Sequence, residues 1–216
     1  MEPPLKVQDW LDHCQRPLQG PHYFALIITD SIGKHLSWLE FSLVLVKGGL
    51  KFANVPNMLR IIDHHEFKYV IVHVGANEID SEPRAARHSL RKVFAELSDR
   101  ADTVYWSPPL PTTAFDTNTT QSFRRWLQRR CAAAGVNFIP PEGRRFAKFG
   151  SDTQLRRSFY HRDGLHINAD GTPNLLYWWQ KYIPLLASLD RGYCATPYEQ
   201  ATRELSARQI RKLYVN

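Results

Sequence analysis

The sequence predicts an α/β fold, a three-layer α/β/α sandwich around a mostly parallel five-stranded sheet. Three observations lead there. Short apolar runs recur at residues 24–29, 42–46, 69–74, 103–106 and 136–139, the length of buried strands. Segments of helical periodicity lie between them. The first three runs close on Asp-Ser, Gly-Gly and Gly-x-Asn rather than continuing as longer apolar stretches. Strands that alternate with helices favour parallel pairing, because each crossover helix packs back across the sheet. A chain of 216 residues, 43% hydrophobic and 23% charged, suits one compact domain with a sizeable core.

Residues 1–22 combine prolines and polar groups with Trp10 and Leu11 as anchors. They are expected to form an ordered lead-in or a short helix before the main domain, 23–190. The first strand, Phe24 to Thr29, runs into Asp30-Ser31 and a helix start near Ile32. A serine there is presented rather than buried, and Asp30 is expected to cap that helix or tie neighbouring loops, not to act as an acid. The second strand ends in Lys47-Gly48-Gly49, where backbone can approach a ligand with no Cβ in the way.

Val55 to His65 carries Met58, Leu59, Ile61 and Ile62 at helical spacing. The third strand ends in Val74-Gly75-Ala76-Asn77, with His73 facing the sheet packing. Ser81-Glu82-Pro83 opens a helix with a cap and an early proline, and Leu90, Val93, Phe94 and Leu97 form its inward face. A further helix over 118–134 turns Phe123, Trp126, Leu127 and Cys131 inward and leaves Arg124, Arg125, Arg129 and Arg130 on its polar face.

From Glu142 to His161 apolar periodicity is lost. Arg144, Arg145, Lys148, Arg156 and Arg157 are interleaved with Phe146, Phe149, Phe159 and Tyr160, which makes this either a solvated loop with aromatic anchors or a surface for phosphate-bearing partners. It leads into Asp163-Gly164-Leu165-His166, just before a helix containing Leu175, Leu176, Trp178, Trp179 and Ile183. Residues 191–216 form a basic tail with apolar Leu205, Ile210 and Leu213, read as a short amphipathic helix, a frayed end or a joining segment.

In a parallel sheet the carboxyl ends of the strands open onto one crevice, so these distant segments can converge. An alcohol is a poor nucleophile at neutral pH. Ser31 therefore needs a base within hydrogen-bond reach and a third group to hold that base's tautomer, and His166 and Asp163 supply both. No Gly-x-Gly-x-x-Gly follows the first strand and no Walker loop occurs, which removes the dinucleotide and phosphate-loop readings. His64 and His65 are adjacent, point apart on a helix and have no carboxylate or thiol at ligand spacing, so no metal site is expected.

Asp-Ser, then Gly, then Gly-x-Asn, then Asp-x-x-His, in that order between Phe24 and Ile183, resemble the four blocks of the SGNH (GDSL-type) hydrolases. The resemblance implies an SGNH/flavodoxin-like arrangement and a Ser31-His166-Asp163 triad. It also implies an oxyanion hole made by the Ser31 N–H, a glycine N–H and the Asn77 side-chain amide. Gly49 is preferred to Gly48 because it lies further from the strand. Thr29 stands where the family has glycine, Ile32 where it has leucine, and Leu50-Lys51 where a polar residue usually follows. Within the family the chain is most similar to esterase-type domains of some non-LTR retrotransposon proteins. That narrower likeness implies a role in an RNA–protein particle, association with lipid membranes, and a longer parent protein.

The leading expectation is a serine esterase acting on a small acyl or acetyl ester, of a lipid or sugar, with no cofactor. The competing one is a catalytically idle module that binds nucleic acid or anionic lipid through the basic clusters. A formal charge of +7, from 28 Lys and Arg against 21 Asp and Glu, fits attraction to any acidic partner and does not choose among them. No apolar run is long enough to span a bilayer as a helix, and Met1-Glu2-Pro3-Pro4-Leu5-Lys6 lacks a signal-peptide layout. Cys14, Cys131 and Cys194, odd in number and far apart, suggest reduced thiols in an intracellular, cytoplasmic setting.

Overall fold

In the computed structural model, the described residues are 25–33, 42–60, 62, 67–141, 146–147, 154–183 and 213–214. The five anticipated strands all form: β1 (Ala25–Thr29), β2 (Ser42–Val46), β3 (Phe67–His73), β4 (Ala101–Trp106) and β5 (Asn137–Phe138). Every pairing is parallel. A sixth strand, β6 (Leu213–Tyr214), pairs parallel with β2 and gives the order β5-β4-β3-β1-β2-β6. Leu213 and Tyr214 are the part of the tail that is described, and they are strand. The backbone groups along the outer edge of β2 offer a ready partner for any extended segment. The rest of the tail and the lead-in lie outside the described residues, as do His64 and His65.

β1 is flanked on both sides, and all five of its residues are buried. That explains its unbroken apolar sequence, which is the pattern of a strand covered on both faces. Successive side chains still part to opposite faces. Leu26 and Ile28 join one apolar cluster with residues of α1 (Val55–Arg60), α2 (Pro83–Ser98) and α3 (Thr117–Ala133). Ile27 joins the other, with Val44, Ile71, Phe146 and residues of α4 (Gly171–Tyr182). The result is the three-layer sandwich.

Glu82 caps α2, its carboxylate accepting from the Arg84 and Ala85 N–H groups at 2.9 and 2.6 Å, with Pro83 in the first turn. Leu90, Val93, Phe94 and Leu97 are all buried as expected. β4 begins two residues before its apolar run, because Asp102 lies exposed and pairs with Lys68 across to β3 at 2.8 Å. In α3 one assignment fails. Arg124 is buried at 8% exposure and its Nε donates to the Pro109 carbonyl at 2.8 Å. It shares the inward stripe of Thr120, Leu127 and Cys131, at spacings of three and four, so it belongs to the packed face and not to the solvated one.

Candidate active site

The carboxyl edge of the sheet brings together four loops. β1 ends in Asp30, at 1% exposure, whose Oδ1 accepts the Ile32 N–H at 2.9 Å. That bond, with Gly33 N–H to the Asp30 carbonyl at 3.1 Å, winds 31–33 into a single helical turn that leaves Ser31 half-buried. Burial pushes the Asp30 carboxyl up to about 7, against the opposing pull of the Ile32 N–H and of charge on His166.

After β2, the Lys47 N–H donates to the Thr29 carbonyl at 3.1 Å, and Leu50 N–H closes a turn onto the Lys47 carbonyl at 3.3 Å. Gly49 sits in that turn at φ +65°, and both glycines are exposed. A positive φ at the third position of such a turn is what glycine supplies most readily, so Gly49, not Gly48, carries the conformational demand. After β3, Gly75 takes φ +139° beside Phe123 and Pro109. The following helical turn, 76–78, holds Asn77, whose Nδ2 donates to the Leu50 carbonyl at 3.3 Å and lies 3.5 Å from Asp30 Oδ2. Glu78 is buried and accepts the Phe52 N–H at 2.7 Å, locking the same two loops together.

The fourth loop is the turn before α4. Asp163 Oδ1 accepts the N–H groups of Leu165 and His166 at 2.9 and 3.0 Å, and its Oδ2 lies 2.7 Å from His166 Nδ1. Partial burial disfavours the charged carboxylate, but the Leu165 N–H, the His166 ring and the His166 N–H outweigh it and hold Asp163 down at about 2. A carboxylate accepts, so the proton on Nδ1 faces Asp163 and leaves Nε2 free to accept. Nε2 is 2.8 Å from Ser31 Oγ, across 135 residues of sequence. The structure thus brings Ser31, His166 and Asp163 into one line, with Asn77 joined to the loop that carries Ser31 through Asp30.

His73, at the end of β3, is buried against Trp179 and contacts the Ser107 hydroxyl and carbonyl at 3.1 and 3.2 Å. Burial drives its imidazole down to about 4, against the Ser107 bond, so it is neutral core as expected. Among the basic residues, Arg156 and Arg157 are exposed near the turn. Arg144, Arg145 and Lys148 lie outside the described residues. No described helix is long and apolar enough to cross a membrane.

Sequence reasoning missed the segment Ser107 to Thr112, which is buried throughout. It lies between the strand at 103–106 and the next helix, with three prolines and no periodicity to mark it. The available signal was the proline run itself, since proline offers no N–H to satisfy and tolerates an extended buried course better than other loop residues.

Residues 41–172, more than half of the chain, match the GDSL-like Lipase/Acylhydrolase family. The matched span holds Asn77, Asp163 and His166 and begins after Ser31. No curated protein matches the chain in sequence. Solved structures share its fold at low identity. TesA aligns at TM-score 0.59 and 14% identity, covering 75% of this chain and 98% of its own. A catalytic mutant of Axe2, an acetylxylan esterase from Geobacillus stearothermophilus, aligns at TM-score 0.58 and 12% identity, over 75% of this chain and 94% of that one. AlinE4, an SGNH-hydrolase family esterase, aligns at TM-score 0.50 and 15% identity, over 77% and 97%. The narrower resemblance to retrotransposon esterase domains finds no support in these comparisons.

Proposed function

The chain belongs to the GDSL-like lipase/acylhydrolase family, and from that premise we propose that it hydrolyses a small acyl or acetyl ester through a covalent acyl-serine. The observation that carries this reading is the relay from Ser31 Oγ to His166 Nε2 at 2.8 Å and from His166 Nδ1 to Asp163 Oδ2 at 2.7 Å.

In the first step Nε2 takes the Ser31 proton as Oγ attacks the ester carbonyl. Asp163, ionised down to about pH 2, keeps the ring in the tautomer that can accept and stabilises the imidazolium that forms. The tetrahedral oxyanion is met by the Ser31 N–H, the Gly49 N–H and the Asn77 amide. His166 then protonates the departing alcohol, and water repeats the sequence to release the acid. Acetyl transfer to water is favoured as the substrate class by the likeness to Axe2, among whose solved structures are catalytic mutants replacing a serine, a histidine and an aspartate by alanine.

The test is fluorophosphonate labelling with turnover of short chromogenic esters. Labelling should occur at Ser31 and be lost in Ser31→Ala and His166→Ala, together with turnover. A folded protein that neither labels nor turns over would sink this reading.

A further inference from the structure

The acid–base turn needs an anchor outside itself. Asp163 and His166 hold each other within four residues, and the His161 N–H to His166 carbonyl bond at 2.8 Å closes the base of the turn. Neither contact fixes where the turn sits relative to Ser31. The tip does. The Gly164 carbonyl, between the two, accepts from the Thr112 hydroxyl at 2.9 Å and from the Thr113 N–H at 3.2 Å. Gly164 lies at φ +64°, and a Cβ there would collide with Thr113 Oγ1, so the two strands of chain meet as closely as glycine allows.

Thr112 is itself held. It is 2% exposed and its Oγ1 accepts the Ala114 N–H at 3.0 Å. The chain leading to it is pinned at two carbonyls, Pro111 by the Tyr160 hydroxyl at 2.7 Å and Pro109 by Arg124 Nε at 2.8 Å. Pro109 also backs Gly75, from which the Asn77 turn starts. The buried Ser107–Thr112 segment therefore abuts both the oxyanion side and the acid–base side of the site.

We propose that Thr112 is a positioning residue: its hydroxyl, by gripping the Gly164 carbonyl, sets the Asp163–His166 turn at bonding distance from Ser31. This rests on the ester-hydrolase reading for its consequence in turnover but not for the geometry it asserts. A small displacement of a base is enough to matter, because general-base transfer depends on reacting atoms already held in line.

The experiment compares Thr112→Val, which keeps the shape and loses the hydroxyl, with Thr112→Ser, which keeps the hydroxyl. On a short chromogenic ester, Val should lower kcat about tenfold with KM within about twofold, and Ser should recover most of that loss. In parallel, the downfield proton NMR signal of the His166 Nδ1–H facing Asp163 should broaden in Val and stay sharp in Ser. Equal losses in Val and Ser, or a Val variant matching wild type in both readouts, overturns the proposal. If wild type turns over no ester, the hydrolase reading fails while the NMR comparison still decides the role of Thr112. Should Thr112→Val not fold, Thr112→Ala removes the same hydroxyl with less bulk, and an unchanged kcat and signal there overturns the proposal equally.

Discussion

The side-chain amide of Asn77 donates to the backbone carbonyl of Leu50 at 3.3 Å, which ties the loop after β3 to the glycine turn after β2. The same Nδ2 also lies 3.5 Å from Asp30 Oδ2, so both N–H groups and the amide plane have defined directions before any substrate arrives, and an oxyanion would draw one N–H from that longer Asp30 contact. Donors fixed in advance are what stabilise a developing oxyanion most effectively.

Asn77→Ala should therefore lower kcat by about a hundredfold to a thousandfold, about 3 kcal/mol, with little change in KM. Steady-state kinetics on a short ester measures it. A loss confined to KM would remove Asn77 from the oxyanion hole.

The two glycines after β2 should respond differently to substitution. At Gly48 a Cβ meets nothing within 4 Å and φ is not positive, so Gly48→Ala should be close to neutral in stability. At Gly49 there is equal space but φ is +65°, so Gly49→Ala should cost about 1–2 kcal/mol from backbone conformation alone. Chemical denaturation of the two variants checks the difference, and equal costs would contradict the turn geometry.

Asp30 should make stability depend on pH. Its carboxyl is raised to about 7 in the fold from an ordinary 3.8, so the folded protein holds a proton that the unfolded chain releases. That contribution is fully present below pH 4 and is lost as pH rises toward 7. Asp30→Asn keeps an acceptor for the Ile32 N–H and removes the titration. The Tm difference between Asp30→Asn and wild type should thus grow in the variant's favour from pH 4 to 7, by thermal melts in matched buffers. A constant difference would place the titration elsewhere.

His73 acts in the opposite sense. Its imidazole falls to about 4 on burial, from 6.5, so the unfolded chain binds a proton that the fold excludes, and stability is lost as pH drops from 6.5 toward 4. A His73→Asn variant, which can still hydrogen-bond to Ser107, should show a shallower fall in Tm over that window. An equal slope would mean that other groups drive acid unfolding.

The sequence alone determined the local elements and their order. Strand ends at Thr29 and Val46, and the inward faces of α2 and most of α3, follow from burial that repeats with the period of the element itself. Blocks ending in serine, glycine, asparagine, aspartate and histidine were visible because each sits where an apolar run stops or a helix begins.

Only the tertiary structure decided what those ends do together. Ser31 and His166 are 135 residues apart, and their meeting depends on strand order and on how the turn at Gly164 is held, neither of which has a period. For the same reason the sequence misassigned Arg124: a cation within an arginine-rich stretch reads as solvated until Pro109 supplies the buried carbonyl it donates to. The proline run from Ser107 stayed hidden because its carbonyls are met by the side chains of His73 at the end of β3, Arg124 of α3 and Tyr160 of a distant loop. Long-range hydrogen bonds of that kind leave no mark on local composition.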